Sequence, residues 1–273
     1  MLLGMEHKDF IICAIFAHEC PKHVDEFCRY HLSIGFDKVH LYDNNAVEDR
    51  ETYALIQDLI DAGKVVIHNF CGVIKGQLKA YDDTIQHVDY RWCAFIDIDE
   101  FITLQDPGFD IRQFLIEHEE TIKAYKVRWM LYGDNEIIEY DGRPMRERFT
   151  TPLSHDKDNN GSKSLLHWSV NLPFGSTPHS IERYHGYYAT DLKPVDSTPF
   201  VNRPCYEHFY IAHYYTKSLE EWVRYKLCRG FADRTNDKMT TYGLERFFWR
   251  NKMTDDKLRW LSRYIANLSN GKH

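Results

Sequence analysis

Apolar runs of strand length alternate with helical stripes through the first hundred residues, and this alternation limits the folds open to the chain. Strands are predicted at residues 10–16, 38–42 and 65–70, each followed by apolar residues at helical spacing. Gly35 and Gly63 supply the helix stops. Because consecutive parallel strands need helical crossovers, these units predict an α/β fold with a mostly parallel, Rossmann-like sheet covered by helices on both faces.

The second half is less regular, and no linker divides it from the first. Alternation of apolar residues over 125–131 predicts a strand, and the polar stretch 155–164 predicts a mobile loop. Ser218 and Glu221 form a capping box that opens a helix predicted to run to Gly230. A last amphipathic helix comes after it. We expect one catalytic domain over residues 1–216 and a C-terminal helical extension over 217–273, packed on the same domain.

Composition favours a cytoplasmic protein with reduced thiols. The chain has a charged start and no stretch near the roughly 20 apolar residues that span a bilayer. Its seven cysteines are odd in number and form no CxxC pair. The net charge of −7 argues against nucleic-acid binding.

The C-terminal region is basic although the whole chain is acidic. Residues 217–263 contain twelve Lys/Arg against seven Asp/Glu. Such an imbalance is ordinarily a solvated helix surface. The functional alternative is a peripheral contact with the anionic inner face of the membrane, where a lipid-linked acceptor would lie.

The sharpest chemical signal is FIDIDEF at residues 95–101. If this segment is a strand, Asp97 and Asp99 point to one side because side chains two residues apart share a face. Two carboxylates at a strand end suit Mn²⁺ or Mg²⁺, which would bridge the phosphates of a nucleotide diphosphate. Paired acids at a strand end also arise by chance, so the motif alone leaves metal binding open.

A second polar cluster, Asp43-Asn44-Asn45, comes directly after an earlier predicted strand. Asp43 can accept hydrogen bonds from a pyrimidine N–H or a ribose hydroxyl. The same three residues are also ordinary turn chemistry. Carboxyl ends of parallel strands meet at one sheet edge, so this cluster is expected near Asp97 and Asp99.

Three segments together resemble a known family: EFCRYHLSIGFDKVHLYDNN, GQLKAYDDTIQHVDYRWCAFIDIDEFI and IAHYYTKSLEEWVRYKLCRG. Their order and spacing are similar to those of glycosyltransferase family 92 and related family-2-like bacterial transferases, over residues 10–103 and 208–230. The chain departs from the pattern at 17–19, where Ala-His-Glu replaces Lys-Asn-Glu. The resemblance implies an A-type fold, a UDP-sugar donor, Mn²⁺ or Mg²⁺, and usually inversion at the anomeric carbon.

Carried over by residue, the resemblance implies that Asp43 contacts the uridine. It also implies that Asp97 and Asp99 approach the metal and the ribose, with Asp99 preferred as the direct metal ligand. The resemblance also implies a late histidine in the metal site. His213 is the candidate, His179 is held in reserve, and a core histidine bonded to backbone is the alternative reading of His213. The predicted substrate-binding set is Glu19, Asp43, Asn44, Asn45, Gln77, Asp97, Trp129 and Lys217. Further candidates for the diphosphate are Lys163, Lys226 and Arg229.

An inverting transfer needs a base that takes the proton of the acceptor hydroxyl. Asp134 and Glu136 lie just after the strand over 125–131 and are the candidates, although both are also ordinary turn residues. Trp129 and Tyr132 are placed to stack on an acceptor sugar, with a core position as the alternative for Trp129. If neither acid is the base, Glu182 and Asp191 are the next candidates.

Two other functions compete. A phosphohydrolase of the haloacid dehalogenase type also begins with Asp-x-Asp, but it needs Thr or Val where this chain has Phe101. It also needs a later strand that ends in paired acids. The pair Asp255-Asp256 is instead predicted to open a helix. A non-catalytic nucleotide-sugar-binding protein is the second alternative. The preferred function is transfer of a hexose to a glycan or glycolipid hydroxyl in surface polysaccharide or lipopolysaccharide synthesis.

Overall fold

The computed structural model describes residues 8–153, 159–181, 183–227 and 243–269. The strands are β1 (Phe10–Phe16), β2 (Lys38–Asp43), β3 (Val65–Asn69), β4 (Trp92–Phe95), β5 (Glu100–Leu104), β6 (Ala124–Leu131), β7 (Ser162–His167), β8 (Tyr187–Ala189) and β9 (Phe209–His213). The helices are α1 (Pro21–Ser33), α2 (Arg50–Leu55), α3 (Gln57–Asp61), α4 (Gly76–His87), α5 (Ile111–His118), α6 (Met145–Arg148), α7 (Leu219–Glu221) with a π-helical continuation (Trp222–Lys226), α8 (Leu244–Arg250) and α9 (Asp255–Ser269).

These strands form one sheet in the order β3-β2-β1-β4-β7-β6-β9-β5, with β8 paired to β6. The pairs of β1 with β2 and β4, of β2 with β3, and of β6 with β8 and β9 are parallel. Strands β7 and β5 run against their neighbours. The predicted α/β fold with a mostly parallel sheet is confirmed.

The first strand shows why its sequence is apolar without a break. Ile12 and Ala14 pack in a cluster with residues of α1 and α5, whereas Ile11 and Cys13 pack in a second cluster with residues of α4. Both faces of β1 are therefore covered, as expected for a parallel strand under helical crossovers. The predicted position of helices on both faces is confirmed.

The chain around FIDIDEF differs from the expected strand. Strand β4 ends at Phe95, and Glu100 N–H donates to Asp97 O at 3.0 Å, which closes a turn before β5 begins. Asp97 and Asp99 therefore do not share the face of a strand, and the prediction that pleating aligns them is wrong. The apolar pattern continues through Ile98 because turn and core are both buried, so hydropathy alone does not mark the strand end.

Two boundaries in the second half also differ from expectation. Instead of one loop over residues 155–164, β7 begins at Ser162 and buries Lys163; residues 154–158 lie outside the described parts. The capping box at Ser218 is confirmed, but the helix turns into π geometry from Trp222. Gly230 lies outside the described residues.

The last described helices pack against earlier parts of the chain, and the division at residue 216 stays a prediction. Trp222, Phe247 and Trp260 form a cluster with Ile138 and Tyr215 at its border. Lys257 on α9 lies 2.5 Å from the carboxylate of Asp134. Apolar contact and a buried ion pair thus hold the extension in place.

Six cysteines are free thiols: Cys13, Cys20, Cys28, Cys71, Cys93 and Cys205. All but Cys71 are buried, and Cys228 lies outside the described residues. Within the described ranges, no helix combines the length and apolarity needed to cross a bilayer.

Candidate active site

The site is built where the turn after β4 meets the end of β9. Glu100 is paired in register with His213, and Tyr214 N–H donates to Asp99 O at 2.8 Å. Strand β9 is also parallel to β6, whose last residue, Leu131, is level with His213. Backbone pairing therefore brings the Asp-x-Asp turn and the late histidine together, as the sequence predicted.

Asp99 is the most strongly paired acid of this site. Its Oδ1 lies 3.5 Å from His213 Nε2, and its Oδ2 lies 2.6 Å from Lys226 Nζ. Burial would raise the pKa of Asp99, but the Lys226 ammonium, followed by His213, holds it well below its usual range. Asp99 is therefore a carboxylate at neutral pH.

Asp97 lies beside it in a separate set of contacts, with its side chain 36% exposed. Its Oδ1 is 2.9 Å from Lys163 Nζ and accepts a short hydrogen bond from Gln77 Nε2. Burial again favours a higher pKa, yet Lys163 outweighs it and the pKa of Asp97 is lowered. Gln77 and Lys163 thus both contact Asp97, and their contact with the substrate or its diphosphate stays a prediction.

Glu100 was not identified from the sequence. It is fully buried, and its Oε2 accepts from Asp97 N–H at 3.0 Å. Burial, with a smaller contribution from Asp97, raises the pKa of Glu100 well above its usual range. Its position directly after Asp-x-Asp was the available signal, but its inward orientation depends on the turn, which hydropathy did not predict.

Two histidines flank the ring of Trp129. His213 lies 4.6 Å from it, centroid to centroid, and His179 lies 5.3 Å from it. Burial lowers the pKa of both histidines, that of His179 to about 4, so each imidazole is neutral at pH 7. His179 Nδ1 lies 3.0 Å from Ser162 O, and His213 Nε2 lies 3.5 Å from Asp99 Oδ1.

The donor set of Asp99 and His213 fits a divalent cation. A carboxylate oxygen and a neutral imidazole nitrogen are both ligands for Mn²⁺, and their 3.5 Å separation is short enough for both to contact one ion. Within the described ranges, no group of three or more His, Cys, Asp or Glu residues is arranged to hold a metal. The remaining ligands would therefore come from water and a phosphate-bearing substrate.

Several predicted donor-binding residues are engaged inside the protein. Lys217 Nζ lies 2.8 Å from Glu19 Oε1, and both side chains are buried. Asp43 is fully buried, and its carboxylate accepts from Asn45 N–H and from Tyr53 OH. Asn44 Nδ2 donates to the carbonyls of Phe70 and Val73, which shapes the same loop. Direct contact of these residues with substrate stays a prediction.

The two base candidates have different surroundings. Asp134 is buried with its Oδ2 2.5 Å from Lys257 Nζ, so it ties the C-terminal helices to the domain. Glu136 is exposed and lies 4.0 Å from Lys252. Of the reserve candidates, Asp191 pairs with Arg203. Glu182 and the diphosphate candidate Arg229 lie outside the described residues, and the identity of the base stays a prediction.

Comparison with known proteins finds a curated protein of similar sequence and a solved structure of weak similarity. A glycosyltransferase family 92 protein from Ricinus communis is 29% identical over 109 residues, which cover 38% of this chain and 18% of that relative. The chain thus spans less than a fifth of that relative's length. HddC from Yersinia pseudotuberculosis is similar with a TM-score of 0.36 and 11% identity, over 68% of this chain and 93% of HddC.

A family model also matches the chain. The model of glycosyltransferase family 92 matches residues 8–188, which include the turn at Asp97 and Asp99, the loop at Asp43 and the buried Lys163. The match covers more than half of the 273 residues. The chain therefore belongs to glycosyltransferase family 92.

Proposed function

We propose that this protein transfers a hexose from a UDP-sugar to a hydroxyl of a glycan or glycolipid, with Mn²⁺ or Mg²⁺ and with inversion at the anomeric carbon. The observation that supports this most is the contact between Asp99 Oδ1 and His213 Nε2 beside two buried lysines. Carboxylate, neutral imidazole and ammonium groups together suit a metal-bound diphosphate.

Each group has a defined task in this proposal. Asp99 and His213 would hold the cation, which would supply Lewis-acid stabilisation of the charge on the departing diphosphate. Lys163 and Gln77 orient Asp97 beside them. The acceptor hydroxyl loses its proton to a carboxylate base, for which Glu136 is the exposed member of the predicted pair. The glycan would be part of a surface polysaccharide or lipopolysaccharide.

UDP binding is expected to depend on the divalent cation. Phosphate and carboxylate groups are both anionic, so without the cation the attraction at Asp99 is lost, and we expect UDP affinity to fall at least tenfold in EDTA. Calorimetric titration with UDP, in Mn²⁺ and then in EDTA, measures this. Restored affinity on adding back Mn²⁺ is the control, and equally tight binding in EDTA would contradict the proposed metal site.

A peripheral membrane contact through residues 217–263 is part of the proposal for a lipid-linked acceptor. In the described part of this region, Trp249 and Met253 are exposed next to the basic residues Arg250 and Lys252. We expect binding to vesicles that contain anionic phospholipid at low salt and release as salt rises. Sedimentation with neutral vesicles is the control. No binding to the anionic vesicles at low salt would point to a soluble acceptor.

A further inference from the structure

The carboxylate of Asp99 already has a cation partner within the chain. Lys226 Nζ lies 2.6 Å from Asp99 Oδ2, and both side chains are buried. The other oxygen, Oδ1, lies 3.5 Å from His213 Nε2. The two oxygens of one carboxylate thus face different partners, and Oδ1 is the one directed toward the proposed metal position.

The position of Lys226 depends on an unusual backbone. It is the last residue of the π-helical stretch Trp222–Lys226, and one extra residue in a helical turn rotates the later side chains by about 100° relative to an α-helix. Its ammonium lies 4.4 Å from the ring centroid of Tyr215 and 5.9 Å from that of Trp222. Aromatic faces attract a cation, so helix geometry and the two rings together hold Lys226 at Asp99.

Each carboxylate of the Asp-x-Asp motif has an ammonium partner before any substrate binds. Lys163 pairs with Asp97, and Lys226 pairs with Asp99, so two ammonium groups face two carboxylates. A divalent cation that entered alone would add uncompensated positive charge to a buried site, which is unfavourable. A nucleotide diphosphate brings the negative charge that compensates the cation.

We propose that Lys226 is a built-in counter-ion of Asp99 that makes metal binding conditional on the nucleotide diphosphate. The inference rests on the proposed function, because it takes the donor to be a metal-bound nucleotide diphosphate. Lys226 acts through Asp99 in this scheme: its positive charge beside the carboxylate lowers the affinity of the free protein for the cation. Metal and UDP then raise each other's affinity by the same factor.

The test is a Mn²⁺ titration monitored by electron paramagnetic resonance, with and without UDP, on the parent and on Lys226→Met. We expect the parent to bind Mn²⁺ at least tenfold more tightly when UDP is present. The variant should bind Mn²⁺ alone about tenfold more tightly than the parent does, because a positive charge next to the site is gone, and it should gain less from UDP. A merely structural role for Lys226 would weaken Mn²⁺ binding instead.

Matched variants separate charge from folding. Lys257 is also a buried lysine, and its pair with Asp134 is as close as that of Lys226 with Asp99. Lys257→Met should leave the Mn²⁺ affinity unchanged. Lys226→Arg keeps the charge and should bind Mn²⁺ as the parent does. Thermal unfolding establishes that each variant is folded, and Lys226→Gln carries the same test if Lys226→Met is not.

The outcomes are distinguishable. Mn²⁺ binding to Lys226→Met that is no tighter than to the parent overturns the counter-ion role. That result leaves the proposed function standing. Equal Mn²⁺ affinity of the parent with and without UDP overturns the counter-ion role and, because the coupling is reciprocal, also contradicts the proposed metal site. Absence of Mn²⁺ binding to the parent in the presence of UDP contradicts the metal assignment of the proposed function, and the inference fails with it.

Discussion

Asp99→Asn is expected to lower the rate of sugar transfer by about a thousandfold. The substitution keeps the side-chain volume but removes the charge that would hold the cation beside His213. Loss of metal stabilisation of the leaving diphosphate costs several kcal/mol of transition-state stabilisation, and about 4 kcal/mol corresponds to this factor. A UDP-release assay across a Mn²⁺ titration measures it.

Asp99→Asn should also change the stability of the fold, and a double variant separates that effect from the loss of activity. Asp99→Asn leaves Lys226 buried without its carboxylate, so the fold should lose stability as well as activity. The double variant Asp99→Asn with Lys226→Met removes both charges and should recover stability but not activity. Asp106→Asn, in an exposed loop, is the control for amide substitution. Normal transfer by folded Asp99→Asn would refute the role of Asp99.

Glu221→Gln is expected to cost about 3–5 kcal/mol in the free energy of unfolding. Glu221 is 1% exposed, and its carboxylate accepts two hydrogen bonds from the guanidinium of Arg148, at 2.7 and 2.8 Å. It also lies 2.8 Å from His23 Nε2 and completes the capping box with Ser218. The amide would remove the closer carboxylate from the buried guanidinium of Arg148 and leave it with Asp141, at 3.6 Å. Urea denaturation at pH 7 measures the difference.

The pH dependence of the free energy of unfolding tests the same network of Glu221, Arg148 and His23. Burial would raise the pKa of Glu221, but Arg148, followed by His23, holds it below its usual range. The stabilisation is therefore fully present above the ordinary glutamate pKa of about 4.3 and is lost as pH falls below it. The variant should show a shallower loss of stability in acid than the parent. Glu120→Gln, on an exposed side chain, is the control, and a cost for Glu221→Gln as small as the control's would contradict the prediction.

Secondary structure in the first half was largely predictable because it depends on local periodicity. Residues 10–16 are confirmed as β1, and the helix that stops before Gly35 is confirmed as α1. The capping box at Ser218 was also visible, since its two partners are three residues apart. The turn at Asp97 was not predictable from the sequence, because Ile96 and Ile98 are buried like the strand before them and continue its apolar pattern.

Some residues of the candidate site were predictable from the sequence, and others were not. The acids of FIDIDEF were identified from residue type and spacing, and His213 from the family resemblance. The structure brings Asp99 and His213 together. Glu100 was missed, and Lys226 was expected to contact a diphosphate, not Asp99. Lys217 was likewise assigned to substrate, yet it lies 2.8 Å from Glu19.

The sequence by itself determined the alternating elements, the mostly parallel sheet and the residue types available for a cation and a phosphate group. Tertiary structure alone decided which charges are paired: Lys226 with Asp99, Lys163 with Asp97 and Arg148 with Glu221. The two kinds of interaction join residues at different separations along the chain. Periodicity and capping act over a few residues, whereas ion pairs form between residues far apart in the chain, and burial makes each charge require a nearby partner.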